Sequence, residues 1–150
     1  TLHDDTWGEV TLMSGLPGTG KDTWIGRNLP GIPMISLDEI RRVHRIAPTA
    51  PQGFVANLAK EQAKEPLRRH HPFVWNATNL PPDPRRKLIS LFESYKARVR
   101  IVYLETDWQA QLVRNASRPD QVPIPVIATM HTKLMPPEAY EAAKVEWISI

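Results

Sequence analysis

The chain has 150 residues, enough for one globular domain with a substantial core and too short for two ordinary ones. Its 19 Lys and Arg against 16 Asp and Glu leave a net charge of +3, which by itself points to neither nucleic acid nor membrane. The absence of cysteine excludes a disulfide scaffold, a thiolate zinc site and a cysteine nucleophile, and it fits a reducing, cytoplasmic setting. Prolines number 15, well above the average usage of about 5%, yet a 41% hydrophobic share excludes a disordered proline-rich tail. No apolar run is long enough for a membrane span, and the N-terminal residues lack a basic-then-apolar signal pattern. The opening residue, Thr1, suits a single domain, residues 1–150, trimmed from a longer protein.

In chain order the pattern is strand, helix, strand, helix, repeated. Val10-Thr11-Leu12-Met13 is the first predicted strand. A glycine loop follows, then a helix over 21–29 stopped by Pro30-Gly31. Pro33 to Ser36 is a second short strand, and a short helix starts at Asp38, which is a candidate N-cap. Residues 44–52 hold two prolines and read as loop. Phe54, Val55, Leu58, Ala59 and Ala63 recur at helical spacing, so a helix runs to about Arg69, with Pro66 kinking or shortening its end. Phe73-Val74-Trp75 suits a buried strand. Asp83-Pro84 starts a helix whose inner side is Leu88, Ile89, Leu91, Phe92 and Tyr95. Val99 to Leu104 gives a fourth strand, and Thr106 or Asp107 caps the next helix. A proline-rich stretch, an apolar segment over 126–134 and a fifth strand over 145–148 complete the chain. Such alternation implies a parallel sheet covered on both faces, with ligands at the carboxyl ends of its strands.

Gly15-Leu16-Pro17-Gly18-Thr19-Gly20-Lys21 follows the first strand directly and fits G-x-x-x-x-G-K. Glycines let backbone N–H groups turn inward around phosphate oxygens, and the next helix adds its positive end. Lys21 reaches the β and γ phosphates of a nucleotide as a point charge. The next position, usually Ser or Thr, is Asp22, followed by Thr23. A carboxylate beside a triphosphate needs a cation between them, which makes Asp22 the candidate Mg²⁺ ligand, direct or through water. The second usual magnesium carboxylate belongs at the end of another apolar strand, where Asn76 stands instead. The reading is that the metal's charge partner has moved from strand end to loop. The alternative is that Asp22 merely complements the helix dipole.

Asp38 closes the second strand, where an aspartate can take the proton from an attacking hydroxyl. Arg41 lies three residues on and points the same way on a helical turn. A base beside a guanidinium suits an acceptor with a hydroxyl and a nearby phosphate. Arg114 and Arg118, four apart, share a helix face before the proline-rich turn. They are candidates for a lid, about residues 107–125, that closes over nucleotide and becomes ordered only when nucleotide is bound.

These blocks together resemble the kinase domain of phage-type polynucleotide 5′-kinases, within the small P-loop kinases. The further blocks are Asn76-Ala77-Thr78-Asn79-Leu80 with Pro84-Arg85-Arg86, and Leu112 to Arg118 with Val122-Pro123-Ile124. The resemblance implies a five-stranded parallel α/β sheet in the order 2-3-1-4-5 with a helical lid. It implies transfer of the γ-phosphoryl group of ATP or another NTP, with Mg²⁺, to 5′-hydroxyl ends of DNA or RNA. Lys21 would bind the β/γ phosphates, Asp38 act as general base, and Arg41 hold the acceptor's phosphate. Arg118 with Arg114 would stabilise the transition state, and Thr78 and Asn79 would line the floor between donor and acceptor. Gly15, Pro17, Gly18, Thr19, Gly20, Asp22 and Thr23 would complete the ATP site. Such kinases are similar to end-healing enzymes that carry a fused phosphoesterase, phosphatase or ligase domain. A small-molecule kinase of the same fold, acting on a sugar, nucleoside or antibiotic hydroxyl, and a non-catalytic ATP-binding module remain alternatives.

Other features carry less. His70-His71 reads as a solvated helix end, Trp24 and Trp75 as core, and Arg85-Arg86-Lys87 as a solvated charge run or nucleic-acid contact. The charge is uneven. Residues 41–100 hold 13 basic and 4 acidic side chains, so an acceptor channel lined by them would bind less tightly as salt rises. Pro48, Pro51, Pro81, Pro82, Pro119 and Pro123 read as stiffening the loops around the site.

Overall fold

The computed structural model describes residues 6–47, 50–79, 82–118 and 121–149. Pro48, Leu80, Pro81 and Pro119 lie outside the described residues. Five strands form one sheet: β1 (Gly8–Ser14), β2 (Met34–Ser36), β3 (Val74–Asn76), β4 (Ala97–Glu105) and β5 (Lys144–Ser149). All pair in parallel, in the order β2-β3-β1-β4-β5. The helices are α1 (Lys21–Asn28), α2 (Leu37–His44), α3 (Gly53–Arg68), α4 (Pro82–Ser94), α5 (Trp108–Ala116) and α6 (Ile124–Lys133). The expected order and parallel sheet are therefore found, and the apolar segment after the proline-rich turn is helical.

The strands read as continuous apolar runs because both faces are covered. Val10, Leu12, Trp75, Val99 and Ile101 pack with Val55, Ala59, Ala63 and Leu67 of α3 and with Leu88, Ile89 and Phe92 of α4. The alternate residues Met13, Val74, Val102 and Leu104 pack with Ile25 of α1. This two-residue alternation puts α1 on one face and α3 and α4 on the other. The crossovers bring the carboxyl ends of β1, β2 and β3 side by side, each followed by a segment that carries site residues.

Local chemistry sets the helix ends. Ser36, not Asp38, caps α2: its hydroxyl accepts from the Glu39 N–H at 3.2 Å. Asp38 thus sits in the first turn with its carboxylate free for side-chain partners. Asp107 caps α5 through the Ala110 N–H at 2.9 Å. Pro66 stands in the last turn of α3, which ends two residues later.

Arg85 departs from the expected charge run. It is 1% exposed and donates to the carbonyls of Asn79 at 2.9 Å and Met135 at 2.7 Å. Its guanidinium also pairs with Glu141 at 3.2 Å. Only Arg86 and Lys87 of that run are exposed, and Arg86 pairs with Asp83. The helical register decides this: Arg85 lies three and four residues before Leu88 and Ile89, on the buried side. Among the described residues, no helix is long and apolar enough to cross a membrane.

Candidate nucleotide and acceptor site

The phosphate loop leaves β1 at Gly15. Its φ is +146°, and a Cβ there would meet the Leu104 carbonyl oxygen at 2.6 Å. Gly18, at φ +83°, would meet the Gln111 carbonyl oxygen at 2.6 Å. Both positions need glycine because neighbouring backbone crosses at contact distance. The Gly18 contact seats α5 against the loop, and two side chains fasten it there. Gln111 Nε2 donates to the Pro17 carbonyl at 2.9 Å, and Arg114 Nη1 to the Thr19 carbonyl at 3.3 Å. The amide of Asn115 clamps the following turn through Val122, donating to its carbonyl at 2.7 Å and accepting from its N–H at 3.0 Å.

Lys21 opens α1, and its ammonium folds back onto the loop. Nζ donates to the carbonyls of Gly15 at 2.8 Å and Leu16 at 3.0 Å. Burial lowers its pKa to about 8, against the opposing pull of Asp38 and Asp22 and with a further push from Arg118. Those four charged groups therefore share one electrostatic environment.

Asp38 lies between two arginines. Arg41 Nη1 donates to Oδ1 at 2.5 Å, and Arg118 Nη2 donates to Oδ2 at 2.9 Å. Arg41 Nε is held in turn by Gln52 Oε1 at 2.6 Å. The Gln52 amide donates to the Ala47 carbonyl at 3.1 Å and also to the carbonyl of Ala50. Asp22 Oδ1 accepts from Asn76 Nδ2 at 2.6 Å, so loop and β3 end meet through these two side chains.

A cavity of about 680 Å³ collects these groups, within the usual range for ligand sites of roughly 300–1,000 Å³. Gly18, Gly20, Lys21, Asp22, Thr23, Asp38, Asn76, Arg114 and Arg118 line it, together with Trp24, Arg27, Asn28 and Ser117. Gly15, Pro17 and Thr19 form the loop behind it and do not line it, and Arg41 reaches it only through Asp38. Thr78 and Asn79 do not line it either. The Thr78 carbonyl accepts from the Gly15 N–H at 2.9 Å, and Asn79 is buried with its amide on the Met13 carbonyl at 2.6 Å. Their place in the structure is to tie the end of β1 to the chain after β3.

Arg114 and Arg118 both have protein partners in this structure, the Thr19 carbonyl and the Asp38 carboxylate. Trp24 is half-buried on the cavity wall, with the Arg100 guanidinium 5.4 Å from its ring centroid, whereas Trp75 is core. Trp7 stacks on His70 at 5.4 Å, and Trp108 meets the His131 edge at 5.6 Å. Gln52 and Gln111 have no signal in the sequence that marks them out, because each acts on backbone or on a side chain that only the fold brings near.

Among the described residues, no three His, Asp or Glu side chains gather as a metal cage. Asp22, Thr23 and Asn76 nevertheless bring hard oxygens to the cavity. That donor set fits a magnesium ion that keeps water and nucleotide phosphates as most of its shell.

Residues 10–137 match the family described as AAA domain. Among solved structures, Kti12 from Chaetomium thermophilum in complex with ADP-AlF3 aligns at 13% identity and a TM-score of 0.70, covering 93% of this chain and 88% of that one. A chain of the Pnkp1/Rnl/Hen1 RNA repair complex aligns at 17% identity and a TM-score of 0.73, covering 89% of this chain and 45% of that one. A gluconokinase from Sinorhizobium meliloti aligns at 18% identity and a TM-score of 0.64, covering 97% of this chain and 84% of that one. At these identities the structures share the fold with this chain, a P-loop kinase-like fold. The match over residues 10–137, with the phosphate loop inside it, makes this chain a member of the AAA_33 family of AAA domains.

Proposed function

We propose that this protein is an ATP-dependent polynucleotide 5′-hydroxyl kinase. The observation that carries the reading is the Asp38 carboxylate, gripped on one oxygen by Arg41 and on the other by Arg118, on the wall of the cavity that holds Lys21. The acceptor hydroxyl oxygen attacks the γ-phosphorus, the bond to the β–γ bridging oxygen breaks, and the hydroxyl proton passes to Asp38. In this reading Arg41 holds a phosphate next to that hydroxyl, as a polynucleotide 5′ end provides. Arg118 and Arg114 are placed for charge on the transferring group, and Lys21 for the β and γ phosphates. Asp22 would hold a magnesium ion, direct or through water, and that ion would supply neutralising charge to the nucleotide's phosphates. A protein with this role works beside nucleic-acid repair activities, fused or associated, such as a phosphoesterase, phosphatase or ligase.

A small-molecule kinase is the second reading, favoured by the gluconokinase among the similar folds. It needs Lys21 and Asp38 but not Arg41. A non-catalytic ATP-binding module needs neither Asp38 nor Arg41. Labelled ATP with a 5′-hydroxyl oligonucleotide separates the three, using wild type, Asp38→Asn and Arg41→Ala. The proposal expects transfer by wild type and loss in both variants. Transfer that survives both substitutions overturns the mechanism, and no transfer to any oligonucleotide overturns the polynucleotide reading.

A further inference from the structure

Beyond the cavity, the corner between α2 and α3 carries an aromatic pair that the chemistry above does not use. The His44 and Phe54 rings meet edge to face at 5.3 Å. His44 is exposed, Phe54 is 56% exposed, and neighbouring Val43 is 68% exposed. A single exposed apolar residue is ordinary. This one is tied to the site. His44 lies one helical turn beyond Arg41, about 4.5 Å along the axis at ~1.5 Å per residue. Phe54 follows two residues after Gln52, which fixes Arg41 at 2.6 Å. Exposed cations adjoin the pair in the chain: Arg42 and Arg45 stand on either side of Val43 and His44, a charge suited to a polyanion.

We propose that Phe54 and His44 form a base-stacking platform for a single-stranded acceptor, one step inward along the strand from the nucleotide whose phosphate Arg41 holds. This deepens the polynucleotide reading above and rests on it. A base has a π face whatever its identity, so stacking on Phe54 gives affinity for a strand without sequence preference. Arg41 meanwhile fixes the phosphate that sets the register. A single nucleotide, ending at that phosphate, leaves the platform empty. The platform therefore distinguishes a polymer from a monomer, which the Asp38 and Arg41 pair alone does not.

The test compares acceptors in a steady-state kinase assay. One is a nucleoside 3′-monophosphate, and the others are short single-stranded 5′-hydroxyl oligonucleotides of DNA and RNA. Phe54→Ala is expected to raise KM for an oligonucleotide about tenfold more than KM for the monophosphate, with kcat little changed. His44→Ala should show the same selectivity more weakly, and Phe54→Trp should restore oligonucleotide KM. Phe54 is on the surface, so these variants keep the fold, which circular dichroism checks. An oligonucleotide KM that is insensitive to Phe54, or raised equally for both acceptors, overturns the platform while leaving the polynucleotide reading standing. An oligonucleotide affinity that falls with salt but ignores Phe54 marks a general anion surface and also overturns it. Transfer to neither acceptor by wild type, with ATP binding intact, overturns the polynucleotide reading itself and the platform with it.

Discussion

Arg118 and Asp38 stand 80 residues apart in the chain and meet at 2.9 Å. The contact joins the segment after α5 to the first turn of α2 across the mouth of the cavity. Arg41 takes the other oxygen of the same carboxylate. Two guanidiniums with forked donors therefore converge on one carboxylate at the cavity wall. Asp38→Asn keeps the shape and removes the proton acceptor. It should lower kcat by about 10² to 10⁴, with a far smaller change in the Kd for ATP. Rapid-quench turnover and calorimetric ATP titration measure the two quantities separately. A kcat within threefold or so of wild type excludes Asp38 as the base.

Lys21 gives a pH prediction. Burial holds its pKa near 8, below its ordinary 10.5, so the free protein loses this charge in mildly alkaline solution. Bound phosphates favour the charged form, so nucleotide binding should draw in a proton above about pH 8. The Kd for ATP should rise as pH increases through that value. Titrations in buffers of differing ionisation enthalpy read the proton uptake directly. Stability runs the other way. Between about 8 and 10.5 the unfolded chain binds the proton and the folded chain does not, so nucleotide-free stability rises with pH there. Lys21→Met should flatten both dependences, and a wild-type Kd independent of pH from 7 to 9 contradicts the assignment.

The Asp22–Asn76 contact at 2.6 Å yields a paired test. If the metal's carboxylate sits on the loop, Asp22→Ser raises the Mg²⁺ concentration needed for half-maximal activity and lowers turnover. Adding Asn76→Asp in the same chain returns a carboxylate to the end of β3 and partly restores both. Magnesium titrations of wild type and the two variants decide it. If Asp22→Ser leaves the magnesium curve unmoved, Asp22 serves the helix end instead.

Arg85 gives a stability prediction. Its guanidinium is enclosed by Glu141 and by the carbonyls of Asn79 and Met135. Arg85→Ala takes the cation from the largely buried Glu141 carboxylate and a donor from the Met135 carbonyl, which should cost about 3–5 kcal/mol of unfolding free energy. Replacing Arg85 and Glu141 together by apolar residues of similar volume should recover much of that loss. Urea melts of both variants provide the numbers. Because Asn79 follows the end of β3 and Ser14 also donates to its carbonyl at 3.0 Å, the loss should loosen the phosphate loop as well.

The sequence alone determined the parts whose cause is local. The glycine spacing of residues 15–20, the apolar runs of β1 and β4, a cap at Thr106 or Asp107 and the helical repeat of α3 each depend on neighbours within a few residues. Their physical basis is backbone conformation and the periodicity of side-chain direction. The order of the strands came from resemblance rather than periodicity, and the pairings of the sheet bear it out. What only the tertiary structure decided are contacts between residues far apart in the chain. Asp38 with Arg118, Asp22 with Asn76, Gln111 with Pro17 and Arg85 with Glu141 are separated by 80, 54, 94 and 56 residues. Arg85 shows the difference most plainly: one helix turn presents Arg86 to solvent and Arg85 to the interior, and only the arrival of Glu141 makes that burial stable. Thr78 and Asn79, expected on the floor of the site, instead brace β1 because their polar groups meet Gly15, Met13 and Ser14 first. The chain's own chemistry supplied the reacting groups; the parallel crossovers, which set the ends of β1, β2 and β3 side by side, decided which of them touch.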